Sequence, residues 1–226
     1  MDTARSRLVL FLDFDNTITQ GDLLDAVLER YSRDASWLAW EERWKKGKIS
    51  TLECLRRQIA TLKPSRIEIL EFASAAAIDP YFVPIVRKAA ASKLELVVLS
   101  DSFTVLIDAV FARHDVRNVR VVANELTFFD DRVEAAFPHR DPSCRRCAHC
   151  KGQHFRNQRG RETIFVGDGL SDICAADAAD TVFAKDSLAE YLSRHGKKYR
   201  PFDTLGTVLD FLVERGAVTA ERISSR

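Results

Sequence analysis

Short apolar runs rich in Val, Leu, Ile and Phe recur along this chain at 8–12, 94–99, 119–122, 163–166 and 181–183. Runs of that length suit strands buried on both faces, where neither side needs polar residues. Between several of them the apolar positions lengthen to a helical period, over 81–91, 103–113 and 170–179. Strand and helix alternating in this way predict an α/β fold with a Rossmann-like, doubly wound, mainly parallel sheet.

Two stretches break the alternation. Residues 21–77 hold no strand candidate: Leu23, Leu24, Val27, Leu28 and Tyr31 share one helical face, and Leu52, Leu55, Ile59 and Leu62 form another. Ser50 with Glu53, and Ser65 with Glu68, both have capping-box spacing, in which each side chain satisfies a free backbone N–H of the first helical turn. The expectation is a small all-helical insert at 21–77, with residues 1–20 and 78–226 forming the α/β core. The second break, 124–137, alternates as a β-hairpin with its turn near Asp130 and Asp131.

Composition narrows the function classes. At 226 residues, 46% of them apolar, the chain has ample material for a core, and its formal charge of +1 calls for neither nucleic acid nor an anionic membrane. The first apolar run is five residues long and leads into Asp13, so it is neither a signal-peptide core nor a membrane span. Five cysteines, three of them crowded at 144, 147 and 150, do not form the even framework of a small secreted domain. The chain reads as soluble and cytoplasmic, and nothing in the composition speaks to oligomeric state.

The candidate chemistry lies where strands end. The run Phe11-Leu-Asp13-Phe-Asp15-Asn-Thr17 places two carboxylates two residues apart at the end of a buried strand. Their repulsion is tolerable when a cation or a bound proton sits between them, although Asp also favours such turns for purely local reasons. The strand at 94–99 leads into Ser100-Asp101-Ser102, a hydroxyl expected to open a helix, where free N–H groups attract anions. The strand at 163–166 leads into Gly167-Asp168-Gly169-Leu-Ser-Asp172, and Lys151 stands at the start of an expected helix between these two segments. The carboxyl edge of an open α/β sheet is where ligands bind, so the four segments are candidates for one site.

In this order, Asp-x-Asp-x-Thr, then Ser, then Lys, then Gly-Asp-Gly-x-x-Asp resembles the four motifs of the haloacid dehalogenase superfamily of phosphatases. The resemblance spans nearly the whole chain. It implies that 21–77 is a helical cap and that a small phosphorylated metabolite is hydrolysed in two steps. Asp13 would be the nucleophile and Asp15 the acid and then the base. Mg²⁺ would be held by the Asp13 side chain, the Asp15 backbone carbonyl and Asp168, with Asp172 beside the ion or orienting Lys151. Ser100, Asp101 and Lys151 would bind the phosphate, Thr17 would set the loop after the nucleophile, and Gly167 and Gly169 would flank the metal-binding Asp168. Asp22, Gly47-Lys-Ile-Ser50, Asp79-Pro80 and Phe183-Ala-Lys-Asp186 are similar to the branch acting on the methionine-salvage ester 2-hydroxy-3-keto-5-methylthiopentenyl-1-phosphate. Ser100-Asp101-Ser102 and the Cys150-Lys151 pair are similar to the phosphoethanolamine and phosphocholine branch. A phosphotransferase using the same aspartyl intermediate is an alternative outcome of the same residues.

The run from Cys144 to Lys151 is open to two readings. Cys144, Cys147 and Cys150, with His139, His149 and His154 nearby, are candidate ligands for a structural Zn²⁺ with no fourth ligand assignable, or they are reduced thiols packed before Lys151. Residues 139–161 also carry seven Lys or Arg against one acid. That charge admits a zinc- and arginine-rich RNA-binding protein on a catalytically inactive fold of the same kind, or a solvated face whose field attracts phosphorylated substrates; without a recognised nucleic-acid module, the second fits better. Trp37, Trp40 and Trp44 share one helical face and are expected in the core of the helical insert, with a substrate-facing wall as the alternative; Cys54 and Cys174 are expected as small core residues, and Glu29, Glu41 and Glu42 on solvated helix faces.

Overall fold

The structure is a computed structural model that describes residues 7–220. Residues 1–6 and 221–226, which the expected core boundaries include, lie outside the described residues. Seven strands form one sheet: β1 (Leu8–Leu12), β2 (Glu95–Phe103), β3 (Arg120–Phe128), β4 (Val133–Ala136), β5 (Glu162–Gly167), β6 (Thr181–Ala184) and β7 (Arg200–Pro201). Their spatial order is β4-β3-β2-β1-β5-β6-β7, and every pairing is parallel except β3 with β4. β1 lies between β2 and β5, where the order of the chain reverses, and that switch point is where a doubly wound sheet opens a crevice.

Period-two alternation sends successive strand residues to opposite faces. Leu10, Leu12, Val98, Ile164 and Val166 pack on one face, beneath α5 (Phe82–Ala91), α6 (Thr104–Arg113) and α9 (Leu205–Glu214). Val9, Phe11, Val97, Leu99 and Phe165 pack on the other, against α7 (Ile173–Ala176) and α8 (Asp186–Arg194). Helices α1 (Leu23–Tyr31), α2 (Ser36–Lys45), α3 (Thr51–Ile59) and α4 (Arg66–Ser74) fill the segment after β1. α4 packs on α6, and α3 leans on β4. The chain returns to the core at Asp79, a buried carboxylate that accepts from the backbone N–H of Tyr81 at 2.8 Å and of Leu205 at 2.9 Å. That one side chain ties the entry to α5 to the first turn of α9, satisfying N–H groups that a helix start leaves without partners. Among the described residues no helix is long and apolar enough to cross a membrane.

Several local expectations are corrected. Ser100 does not open a helix: β2 runs on through Ser100 and Asp101 to Phe103, and α6 starts at Thr104. The run at 119–122 and the first arm of the hairpin are one strand, β3, parallel to β2 in its first half and antiparallel to β4 in its second. The expected helix at 170–179 is a 3-10 turn over Leu170–Asp172 followed by the single turn of α7, and Lys151 opens another 3-10 turn, Lys151–Phe155. Ser50 caps α3 through the N–H of Glu53 at 3.2 Å, whereas Ser65 makes no side-chain cap bond. Apolar periodicity locates buried segments well, but it does not distinguish a long helix from short turns that place apolar residues at the same spacing.

Candidate active site

Register brings the motif residues to one edge. Leu12 pairs with Val98 of β2 and with Val166 of β5, so Asp13, Ser100 and Asp168 lie within two residues beyond the same level of the sheet. The N–H of Asp13 still donates to the carbonyl of Val166 at 2.9 Å, which carries the strand geometry into the site.

Lys151 is the hub. Its Nζ donates to Asp13 Oδ1 at 2.5 Å and to Asp172 Oδ1 at 2.6 Å, and all three side chains are buried. Asp172 Oδ2 accepts the backbone N–H groups of Asp168 and Gly169, both at 3.1 Å, so one carboxylate joins the lysine to the turn that carries Asp168. Gly167 makes this approach possible, because a Cβ there would collide with Asp172 Oδ2 and lie 2.8 Å from the Phe165 ring. Thr17 Oγ1 donates to Asp168 Oδ1 at 3.1 Å, so it reaches the metal-binding candidate rather than only shaping its own loop.

Asn16 was not among the sequence candidates. It adopts φ 54°, and its Nδ2 lies 2.9 Å from both Asp168 Oδ2 and Asp186 Oδ2. Asn tolerates that left-handed backbone better than most residues, and an Asn directly after two carboxylates was the available signal. Asp15 Oδ1 accepts from the N–H groups of Leu23 at 3.0 Å and Leu24 at 3.3 Å, the first turn of α1. Ser100 Oγ accepts the N–H of Ser102 at 2.9 Å, and Asp101 Oδ1 accepts the N–H of His149 at 2.9 Å. His149 Nδ1 lies 2.9 Å from the carbonyl of Ser100, to which it must donate, leaving Nε2 to accept from His154 at 2.7 Å.

The electrostatics reflect three carboxylates gathered around one ammonium. Burial, and then repulsion from Asp172, raises Asp13 well above the ordinary carboxylate range although Lys151 opposes the shift. Burial and Asp172 likewise push Asp168 to about 6. Burial alone would lower Lys151, but Asp13, Asp172 and Asp101 outweigh it and hold the ammonium well above its usual value. Carboxylate oxygens of Asp13, Asp168 and Asp172 lie within 4.8 Å of one another.

Asp13, Asp15, Ser100, Asp101, Lys151 and Asp168 line a cavity of about 370 Å³ whose floor is the sheet edge and whose outer wall comes from α1, α2 and α3. Asp22, Asp25, Glu41, Trp44, Lys45 and Gln58 form that wall. Glu41, expected on a solvated face, instead faces the cavity and accepts from Gln58 Nε2 at 2.9 Å; Trp44 lines the cavity, the alternative to a core position, and donates to Thr51 Oγ1 at 3.0 Å, while Trp37 alone of the three tryptophans is buried. Burial, Asp22 and Glu41 lift Asp25 to about 7. Of the basic stretch, Lys151 is buried and Arg161 pairs with Glu95 at 2.7 Å, while Arg140, Arg145, Arg146, Arg156 and Arg159 are exposed.

The chain is similar along most of its length to 2-hydroxy-3-keto-5-methylthiopentenyl-1-phosphate phosphatases: 28% identical to that of Brevibacillus brevis, covering 91% of this chain and 95% of the relative. It is 26% identical to that of Microcystis aeruginosa, with 92% and 98% covered. In three dimensions it superposes on phosphoserine phosphatase from T. onnurineus with a TM-score of 0.70 at 17% identity, over 94% of this chain and 97% of that one. The family model of the haloacid dehalogenase-like hydrolases matches residues 10–177, from within β1 to just past α7, and the chain belongs to that family.

Proposed function

We propose that this hydrolase is a magnesium-dependent phosphomonoesterase that acts on a small phosphorylated metabolite through an aspartyl-phosphate on Asp13. The observation that carries this reading is the meeting of Asp13, Asp15, Asp168 and Lys151 in one cavity, with the buried Asp172 behind them holding Lys151 and lying within 4.8 Å of the Asp13 and Asp168 carboxylates. The donor set fits a hard divalent cation, because carboxylates outnumber the single ammonium and repel one another. Asp13, Asp168 and the backbone carbonyl of Asp15 would hold Mg²⁺, which when bound neutralises charge on the phosphoryl oxygens.

The steps follow from this chain's own residues. Lys151 and Ser100 bind phosphoryl oxygens and hold phosphorus in line with Asp13. An Asp13 oxygen forms a bond to phosphorus as the bond from phosphorus to the alcohol oxygen breaks, and Asp15 gives its proton to that oxygen. Burial first and the nearby Asp22 second raise Asp15 well above the ordinary carboxylate range, which keeps the proton available. The two N–H bonds from Leu23 and Leu24 then receive the carboxylate that is left. In the second step water attacks phosphorus, Asp15 takes the water's proton, and the bond between Asp13 and phosphorus breaks to release inorganic phosphate. Residues 21–77 act as the cap, and the acidic side chains of α1 and α2 face the leaving alcohol, favouring neutral or cationic groups there.

The test is release of phosphate from p-nitrophenyl phosphate and a panel of natural esters. Turnover is expected to need Mg²⁺, to vanish in EDTA and to return on adding the ion. Phosphoethanolamine, phosphocholine and the neutral methionine-salvage ester should each exceed 2-phosphoglycolate by about tenfold or more in kcat/KM, since a like charge about 4 Å away costs about 4 kcal/mol at an effective dielectric of about 20. Hydrolysis indifferent to EDTA would overturn the reading.

Asp22 offers a pH test. It caps α1 by accepting the N–H of Asp25 at 2.8 Å, a bond that asparagine keeps. Asp22→Asn removes a repulsion that raises Asp15, so the general acid should lose its proton at lower pH. The alkaline limb of the kcat profile is expected to move toward lower pH, and an unmoved limb would separate Asp15 from the acid step.

A further inference from the structure

We infer that Cys144, Cys147, Cys150 and Cys174 form a structural zinc site that fastens the loop bearing Lys151 to the helix behind Asp172. Their four Sγ atoms all lie within 4.8 Å of one another, and Cys147 and Cys174 are 3.6 Å apart. A tetrahedron with zinc–sulfur bonds of about 2.3 Å has edges of about 3.8 Å, so only small movements separate this arrangement from coordination. Cys174 supplies the fourth ligand that the spacing of the other three could not assign. The three nearby histidines stay apart from it and form their own cluster, with ring centroids 4.9–5.9 Å from one another. Four soft donors with no hard oxygen ligand select zinc over magnesium, and a closed set of four protein ligands is the mark of a structural site rather than a catalytic one.

The position of the site explains what it does. Residues 137–150 contain no helix or strand, and a loop of that length needs something to hold it. Cys150 directly precedes Lys151, and Cys174 lies two residues beyond Asp172, so the cluster sits behind the 2.6 Å contact between those two side chains. None of the four cysteines lines the catalytic cavity. Gly152 packs so closely on α7 that a Cβ there would lie 2.5 Å from the carbonyl oxygen of Cys174, which brings the two segments together at the cluster. The same loop accepts the N–H of Thr51 at the carbonyl of Arg146, 2.9 Å away, linking it to the start of α3. Arg146 also lies within electrostatic reach of Cys174, where it offsets part of the negative charge that four thiolates around one Zn²⁺ leave. Binding displaces the proton from each cysteine that still carries one and changes no oxidation state.

The test is metal analysis of the full chain purified without added zinc and dialysed against EDTA. About one zinc per chain is expected, and Cys174→Ser should retain at least about tenfold less, while Cys54→Ser, outside the cluster, keeps the wild-type content. Cobalt exchanged into the wild-type chain should give the intense visible bands of a tetrahedral tetrathiolate site, a readout that does not depend on any variant folding. Removing zinc with a mercurial reagent should speed hydrogen exchange over 139–155 and leave β1 and β5 protected. A wild-type chain without stoichiometric zinc whose cysteines all react with a thiol reagent would overturn the proposal, and so would full zinc retention by Cys174→Ser or a mass showing disulfides among the four. None of these measurements depends on hydrolysis, so zinc content and phosphatase activity stand or fall separately.

Discussion

Asp13→Asn is expected to lower kcat by about four orders of magnitude or more, because an amide cannot form the covalent intermediate and the remaining residues can only bind and polarise. The same change should leave a folded protein that melts at or above the wild-type temperature in magnesium-free buffer near neutral pH. The reason lies in the sign of the shift: Asp13 is raised in the folded state by burial and by Asp172, so its ionised form opposes folding. For a carboxyl raised on folding, the folded state binds more protons than the unfolded state at any pH between the two pKa values, and stability falls as pH rises through that window. The advantage of the Asp13→Asn variant should therefore be full above the raised pKa and shrink as pH falls toward the ordinary carboxylate value. A loss of stability in Asp13→Asn, or turnover within tenfold of wild type, would contradict the assignment.

Lys151→Met should damage both folding and turnover. It leaves Asp13 and Asp172 buried without the cation that each touches, and breaking a buried pair from one side costs about 3–5 kcal/mol. Urea unfolding monitored without magnesium is expected to show that loss. Turnover should fall by about 10² to 10³ or more, since among the described residues the Lys151 ammonium is the cation held directly against Asp13, the proposed nucleophile, in the cavity. Adding Asp172→Asn to Lys151→Met should return much of the stability and none of the activity, because it removes one stranded carboxylate without restoring the phosphate contact. If Lys151→Met unfolds at the wild-type urea concentration, the triad does not hold the site together.

Much of the site was legible because strand ends carry their chemistry in the local sequence. Asp13 and Asp168 each follow a run buried on both faces, and in a parallel sheet such residues meet at one edge without further specification. Asn16 could have been read from its place in the same motif. The acidic wall could not, since Asp25 and Glu41 sit on amphipathic helices whose polar faces look alike whether they meet water or a cavity. Cys174 was misplaced for a similar reason: a cysteine among alanines reads as core, and only the packing of α7 on the Lys151–Phe155 turn brings it to the other three.

Sequence by itself determined the layer architecture, the parallel strands, the helical segment after β1 and the identity of the groups at the sheet edge, because apolar periodicity and strand-end residues are local properties. Tertiary structure alone decided which carboxylates Lys151 and Asn16 bridge, which polar helix faces turn inward and which thiols gather. Those choices depend on distances between segments far apart in the chain, and short-range spacing carries no record of them.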